Sequence, residues 1–192
     1  MFQIFKMLSL LPLWLLHGMG WCLGWLVFLA SSGYRKRFVS NAKAAGVATA
    51  LRRQSVGEAG KLVMELPRLW LGRPVTIAIE GSELIDAALQ RGKGVLFLTP
   101  HLGCFEITAQ AYAARYGVAG FPMTVLYRPP RQTWLRGLFA SARTRPGMKA
   151  APANLSGVKQ MLKALKQGHA VGLLPDQVPP ESQGVWAPFF GR

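Results

Sequence analysis

The sequence predicts an α/β protein with a largely parallel sheet and helices on its faces, preceded by a hydrophobic helix. From residue 75 onward, short apolar runs alternate with longer segments of helical periodicity, which is the pattern of strand–helix–strand units. Between Met7 and Tyr34 the chain has no Asp, Glu, Lys or Arg. A helix of this length can cross the ~30 Å hydrocarbon core of a bilayer.

The N-terminal apolar segment is interpreted as a membrane anchor, spanning or partly inserted. Tryptophans at 14, 21 and 25 suit a membrane interface. A cleaved signal peptide, a buried helix and an in-plane anchor are the alternatives. We therefore divide the chain into an anchor over 1–34 and an α/β domain over 35–192. His17 lies inside the apolar segment and is interpreted as a packing or interfacial histidine.

The charge of the chain is strongly positive. It has 23 Lys and Arg against 8 Asp and Glu, for a net charge of +15, which favours acidic partners such as nucleic acid, anionic lipid or an acidic protein. Several basic residues directly follow the apolar segment, namely Arg35, Lys36, Arg37 and Lys43. The positive-inside tendency then places everything after residue 34 in the cytoplasm, against anionic headgroups. Two cysteines fit a reducing compartment.

The elements follow in order along the chain. Helices are predicted over 38–72, with Ser55 and Glu58 as a capping box. Strands are predicted over 75–80, 94–99, 123–127 and 170–175. Helices between and after them are predicted over 81–92, 104–117, 132–143 and 154–168, the last with Asn154 as its N-cap.

Three polar side chains follow predicted strands directly. His101, Arg128 and Asp176 each come after an apolar run, and each has a proline beside it. Ligands of open parallel sheets bind outside the carboxyl ends of the strands. We therefore expect these three residues to converge on one cleft, although they are far apart in the sequence.

Glu106 lies five positions after His101, in a chain that is poor in acids. With His101 in a loop and Glu106 in the first helical turn, the carboxylate can accept the imidazole N–H and leave the other ring nitrogen as a general base. This arrangement suits direct transfer of an acyl group to an alcohol. In the alternative, the two residues only cap and stabilise the helix N-terminus. A metal site of His101, Cys104 and Glu106 is a third option.

The chain resembles the lysophospholipid acyltransferase superfamily, with its H-x4-D/E motif. More narrowly, it resembles the bacterial lipid A biosynthesis acyltransferases of the lauroyl and myristoyl type. Besides the apolar N-terminus, the matching pieces are "PHLGCFE", "LYRPP", "SARTRPG" and "LLPDQVPPESQGVWAPFFG". They occur in family order and cover nearly the whole chain.

The resemblance implies a glycerol-phosphate-acyltransferase-like fold and an acyltransferase without metal, cofactor or covalent enzyme intermediate. His101 would be the general base and Glu106 its partner. Acyl-acyl carrier protein would be the donor, and a hydroxyl of a phosphorylated lipid A precursor the acceptor. The active site would face the cytoplasm at the inner membrane. Substrate binding would fall to family-motif residues and a neighbour, Arg128, Arg143, Arg145 and Asp176.

Each of these side chains also has a simpler interpretation. An arginine could pair with a sugar phosphate or stabilise an oxyanion, and Asp176 could orient that arginine. Alternatively, Arg143 and Arg145 form a solvated helix end and Asp176 is a turn residue. A larger basic set is expected to dock the donor or the membrane, or to form a solvated surface: Arg131, Arg136, Lys149, Lys159, Lys163 and Lys166.

The chain departs from the family in two places. Cys104 and Phe105 stand where many relatives have Asn-Trp, and family members continue past Arg192, so we expect a domain that is incomplete at its C-terminus. Two other functions stay open: an acyltransferase for a glycerolipid or other glycolipid, and a membrane-tethered basic binding protein without catalysis. The sequence has no zinc-finger or RNP-like motif, so nucleic acid is not an expected partner.

Overall fold

A computed structural model describes residues 2–127, 137, 145–176, 184–185 and 187–188. Four helices come first: α1 (Phe2–Ser9), α2 (Leu13–Ala30), α3 (Ser32–Ala44) and α4 (Thr49–Leu71). The α/β part then has helices α5 (Ser82–Gln90), α6 (Glu106–Tyr112) and α7 (Leu155–Lys166). Its strands are β1 (Val95–Leu98), β2 (Met123–Tyr127), β3 (Met148–Pro152) and β4 (Ala170–Leu173).

The four described strands form one parallel sheet in the order β1-β4-β2-β3. One face packs under α5 and α6 through a core that contains Leu89, Tyr112 and Met123. The other face packs under α7, where Met161 lies against Val171. The predicted α/β class with a parallel sheet is confirmed. Helices on both faces also explain why β1 and β4 are apolar throughout rather than alternating.

Several predicted elements are confirmed. Strands over 94–99, 123–127 and 170–175 correspond to β1, β2 and β4, and helices over 81–92 and 154–168 correspond to α5 and α7. The helix over 104–117 is α6, which continues into a π-helical turn at Ala113–Gly117. Asn154 is the N-cap of α7, and its side chain accepts a hydrogen bond from the Gly157 backbone N–H. The helix predicted over 132–143 lies almost entirely outside the described residues.

Three details of the prediction are wrong. Residues 73–79 are not paired into the sheet, and Ile77 and Ile79 line a cavity instead. The Ser55–Glu58 capping box is absent from the described helix α4, since Ser55 lies mid-helix and its hydroxyl donates to the Leu51 carbonyl. Strand β3 was not expected, because "MKAAP" lacks the β-branched and aromatic residues typical of strands.

The two long N-terminal helices pack antiparallel against each other. Gly20 and Gly24 of α2 are buried against α4, and a Cβ on Gly20 would stand 2.6 Å from the Lys61 Cα. These glycines let the two backbones approach closely, as small residues do at helix interfaces in membranes. Within the described chain, α2 is the one helix long and apolar enough to cross a membrane, by length and composition. The division at residue 34 stays a prediction, and it falls within α3.

Candidate active site

The parallel pairing of β1 with β4 brings His101 and Asp176 together. The two strands run in register from Val95 beside Ala170 to Leu98 beside Leu173. His101 and Asp176 each come three positions after the last residue of their strand, so they lie at the same edge of the sheet. The expected convergence of these two residues is confirmed. Arg128, the third residue expected there, lies outside the described residues, as does Arg143.

Both oxygens of the Asp176 carboxylate engage His101. Oδ2 accepts a hydrogen bond from the His101 backbone N–H at 2.7 Å, and Oδ1 lies 2.6 Å from imidazole Nδ1. The side chains are 32% and 38% exposed. Two contacts from one carboxylate fix both the loop and the ring, so the basic nitrogen of an Nδ1–H tautomer would be Nε2. That Asp176 also orients an arginine stays a prediction, because Arg128 and Arg143 lie outside the described residues.

The hydrogen bonds from His101 lower the pKa of Asp176 below its usual value of 3.8, the side-chain bond contributing most. A lowered carboxyl pKa means that the pairing is intact above pH 3.8 and is lost only as the pH falls through the lower, folded-state value. The carboxylate is thus ionised across the neutral range. A permanent negative charge beside Nδ1 stabilises the imidazolium that forms when Nε2 accepts a proton.

Glu106 begins α6, close to the loop that carries His101. Its Oε2 accepts a hydrogen bond of 3.3 Å from Nε1 of Trp70, which is buried in a cluster with Leu69 and Ile107. His101 and Glu106 line the same cavity, of about 480 Å³. The His101–Glu106 pairing itself stays a prediction, because the contacts described here join His101 to Asp176 and Glu106 to Trp70.

Cys104 lies inside the same loop but is poorly suited to act as a nucleophile. Burial raises the pKa of its thiol to about 12, and a hydrogen bond to Glu65 and the charge of that carboxylate add to the effect. The reactive form of cysteine is the thiolate, so at neutral pH this group is an inert thiol. Within the described part of the chain, no group of three His, Cys, Asp or Glu side chains could hold a metal ion.

Arg145 contacts the last turn of α4, which carries Trp70. Its Nη2 donates to the backbone carbonyls of Leu69 at 2.7 Å and of Trp70 at 3.3 Å. These carbonyls belong to the last turn of α4, where helix oxygens lack intrahelical partners. The arginine therefore holds the turn that presents Trp70 to Glu106. Its assignment to substrate binding stays a prediction.

Sequence reasoning missed two residues that contact the site. Trp70 was part of an ordinary packing helix, and nothing in its local pattern connects it with Glu106. Glu65 accepts a hydrogen bond from the Cys104 thiol, and its Oε1 lies 2.7 Å from Nε2 of His17. The one available signal was chemical, since a histidine inside an apolar helix needs a polar partner. His17 is thus a helix-packing histidine, as interpreted.

An apolar cavity adjoins the one that contains His101. It measures about 410 Å³ and is lined by side chains from the sheet and from α6, including Phe97, Tyr112 and Val125. The two cavities share wall residues, among them Thr108, Val125 and Leu173. A polar edge that carries a histidine thus lies beside an apolar space, which is an arrangement that suits an amphiphilic substrate.

A parallel α/β sheet with a carboxylate-held histidine at its carboxyl edge and an apolar cavity beside it defines a class of protein that can act on lipids. Comparison with known proteins narrows this class. The profile of the bacterial lipid A biosynthesis acyltransferase family matches residues 2–192, and the chain belongs to that family.

One curated relative is a lipid A biosynthesis acyltransferase of Haemophilus influenzae. It is 30% identical over 111 residues, which is 58% of this chain and 33% of the relative. The matched segment thus spans about a third of that relative's length. The resemblance inferred from the sequence motifs is confirmed at the level of the family.

Proposed function

We propose that this protein transfers a fatty acyl group from acyl-acyl carrier protein to a hydroxyl of a lipid A precursor, with His101 as general base. The observation that carries the proposal is the His101–Asp176 pair, whose two hydrogen bonds fix the ring at the mouth of the cavity. Family membership supplies the reaction class. The cytoplasmic face of the inner membrane is the proposed location, because the carrier protein donor is cytoplasmic.

The proposed reaction needs one base and no enzyme nucleophile. Nε2 of His101 takes the proton from the acceptor hydroxyl while the oxygen of that hydroxyl attacks the thioester carbonyl. The C–S bond then breaks, an ester forms, and the imidazolium returns the proton to the departing thiolate of the carrier. The Asp176 carboxylate stabilises the positive charge that the ring carries between these two steps.

One cavity suits the acyl chain of the donor, and the other suits the reacting groups of donor and acceptor. The apolar space of about 410 Å³, walled by Phe97 and Tyr112, is the proposed site of the acyl chain. The polar cavity beside it, which contains His101 and Glu106, is the proposed site of the thioester and the acceptor hydroxyl. Their shared wall at Thr108 and Leu173 would let one substrate occupy both.

A basic surface on α7 is the proposed dock for the acidic carrier protein. Lys159, Lys163 and Lys166 are all exposed, and Lys163 and Lys166 also lie in the last turn of the helix. Complementary charge raises the rate of encounter more than the strength of the final complex. Reversing the charge of all three should therefore raise KM for acyl carrier protein and weaken its salt dependence, while kcat stays near wild type.

The direct test is mass spectrometry of a detergent reaction. The protein is mixed with acyl-acyl carrier protein and a tetra-acylated lipid A precursor, and a glycerolipid acceptor is run in parallel. One added acyl mass on the precursor, absent with His101→Ala, is the expected result. Transfer to the glycerolipid alone would overturn the assignment of a lipid A precursor as the acceptor.

A second arm of the test separates enzyme from binding protein. The same reaction is run with versions extended beyond Arg192, and DNA binding is measured at several salt concentrations. No transfer by any version, together with salt-dependent DNA binding, would replace the proposed activity by that of a basic binding protein.

A further inference from the structure

We propose that α2 lies in the plane of one membrane leaflet, with α4 along its water-facing side, and does not cross the bilayer. The proposal deepens the membrane association of the proposed function and rests on it only for the identity of the leaflet. It concerns an interaction surface whose partner is an anionic lipid bilayer.

Helix α4 packs along the middle of α2, with contacts from His17 to Gly24. Near the start of α2, His17 contacts Glu65. Further along, Gly20 lies on Lys61, and Gly24 lies on the Val56 carbonyl. Partner numbers fall as α2 numbers rise, so the helices are antiparallel and each level of α2 has a level of α4 beside it. Whatever depth α2 reaches in a membrane, α4 reaches too.

Helix α4 is too charged to enter hydrocarbon. Charged side chains occur in every part of it, at Arg52, Arg53, Glu58, Lys61, Glu65 and Arg68. If α2 crossed the bilayer, the Glu58–Lys61 ion pair, joined at 2.7 Å, would lie near the middle of the membrane. Charged groups at that depth are costly even one at a time. If α2 crossed the bilayer, several charged side chains of α4 would enter the hydrocarbon core with it.

The two ends of α2 also argue against a crossing. Before α2, Phe5 packs into the cluster that contains Trp70, Cys104 and Ile107, so this end lies beside the candidate active site. After α2 comes the basic helix α3, which contains four Lys and Arg. A crossing would put α3 and the site on opposite sides. An in-plane α2 puts both on the same side, where α3 can contact anionic headgroups.

The outer face of α2 is the proposed lipid contact. Its buried residues, Leu16, Gly20 and Gly24, form one stripe against α4. At about 100° per residue, the most exposed apolar residues point the opposite way. Their exposed fractions are 74% for Trp14, 64% for Leu26 and 65% for Leu29. A bilayer interface covers such a face, because tryptophan prefers the headgroup level and leucine the acyl boundary.

The test reads which side of the membrane each end of α2 faces. Cys22 and Cys104 are replaced by alanine, and single cysteines are introduced as Lys6→Cys before α2 and Lys43→Cys after it. Arg91→Cys, exposed in the turn after α5, reports on the α/β domain. A membrane-impermeant maleimide is applied to spheroplasts and to inside-out vesicles. All three sites should react from the same side, in inside-out vesicles only.

Other labelling patterns separate this proposal from the proposed function. Reaction of Lys6→Cys and Lys43→Cys from opposite sides would overturn the in-plane helix, whether or not acyl transfer is observed. Reaction of all three from the outer side would keep the in-plane helix and overturn the cytoplasmic location. The readout needs no activity, so an inactive chain tests it equally well.

A partition experiment with a matched control tests the lipid-facing stripe. Leu26→Lys combined with Leu29→Lys should reduce binding to vesicles of phosphatidylethanolamine and phosphatidylglycerol by about tenfold or more. Leu84→Lys, on α5 and 72% exposed, should leave that binding unchanged. Equal binding by both variants would overturn the proposed lipid contact of α2.

Discussion

Two histidine–carboxylate pairs in this chain have nearly the same geometry and very different surroundings. His101 lies 2.6 Å from Asp176, and His17 lies 2.7 Å from Glu65. Both histidine side chains are 32% exposed. The first pair joins the ends of two neighbouring parallel strands beside a cavity, whereas the second joins α2 to α4. Hydrogen-bond geometry alone therefore cannot tell a base from a packing contact.

The two pairs also differ in which ring nitrogen contacts the carboxylate. Asp176 contacts Nδ1 of His101 and also accepts from its backbone N–H, so the same carboxylate fixes ring and loop. Glu65 contacts Nε2 of His17, the outermost ring atom, and also interacts with the Cys104 thiol. The first arrangement holds Nδ1 of the ring and the backbone of its loop with one carboxylate. The second uses the outer nitrogen to hold two helices together.

Removing each histidine should give the largest contrast. We expect His101→Ala to lower kcat/KM for acyl transfer by about 10²- to 10⁴-fold, which is the usual contribution of a general base. His17→Ala should change it only a few-fold and instead lower the free energy of unfolding by about 1–3 kcal/mol, because Glu65 loses its partner. Measured kcat/KM and thermal unfolding of both variants check this. Equal loss of activity would make the second pair part of the catalytic machinery.

The carboxylate that serves His101 can be identified by amide substitution. We expect Asp176→Asn to lower kcat on the order of 10²-fold with little change in KM, because an amide cannot balance the imidazolium charge. Glu106→Gln keeps an acceptor for Trp70 Nε1 and should cost less. Steady-state kinetics with the same donor compare the two. A severe loss in Glu106→Gln with a normal Asp176→Asn would assign the partner role to Glu106.

A pair of glycines on α2 tests whether the helix interface holds the second pair. A Cβ on Gly24 would overlap the Val56 carbonyl, whereas a Cβ on Gly18 would meet nothing within 4 Å. Gly24→Ala should therefore destabilise the protein by about 1–3 kcal/mol, and Gly18→Ala should stabilise it by about 0.5–1 kcal/mol. Chemical unfolding in detergent measures both. Equal stability of the two variants would mean that α2 and α4 separate readily.

Much of the α/β part could be predicted from the sequence because its signals are local. Apolar runs identified β1, β2 and β4, and their parallel order implied that His101 and Asp176 would meet. The contact between these two residues could not be predicted in the same way. Spacing suggested Glu106, five residues away, as the partner of His101, and that pairing stays a prediction, whereas strand adjacency brings Asp176 to His101 from 75 residues away. Sequence distance says little about contacts across a sheet.

The helical region was harder to predict for a different reason. The sequence predicted that these segments are helical but not which helices pack against each other. The apolar pattern of α2 is nearly uniform around the helix and favours no face. The close approach to α4 depends on glycines at 20, 24 and 60, and the sequence does not say which helix they pack against. The consequence for the membrane follows only from that pairing.

The smallest effect is expected at Cys104, the residue that lies between the two pairs. Because its pKa is raised to about 12, the neutral thiol is the stable form, and the thiolate appears only as the pH rises towards that value. Cys104→Ala should keep kcat within a few-fold of wild type. Iodoacetamide should modify Cys104 very slowly at pH 8, where the thiolate fraction is on the order of 10⁻⁴. Peptide mass spectrometry measures the modification, with a cysteine introduced at an exposed turn, Arg91→Cys, as internal control. An acyl group found on Cys104 during turnover would replace direct transfer by a covalent mechanism and would make His101 the activator of a thiol.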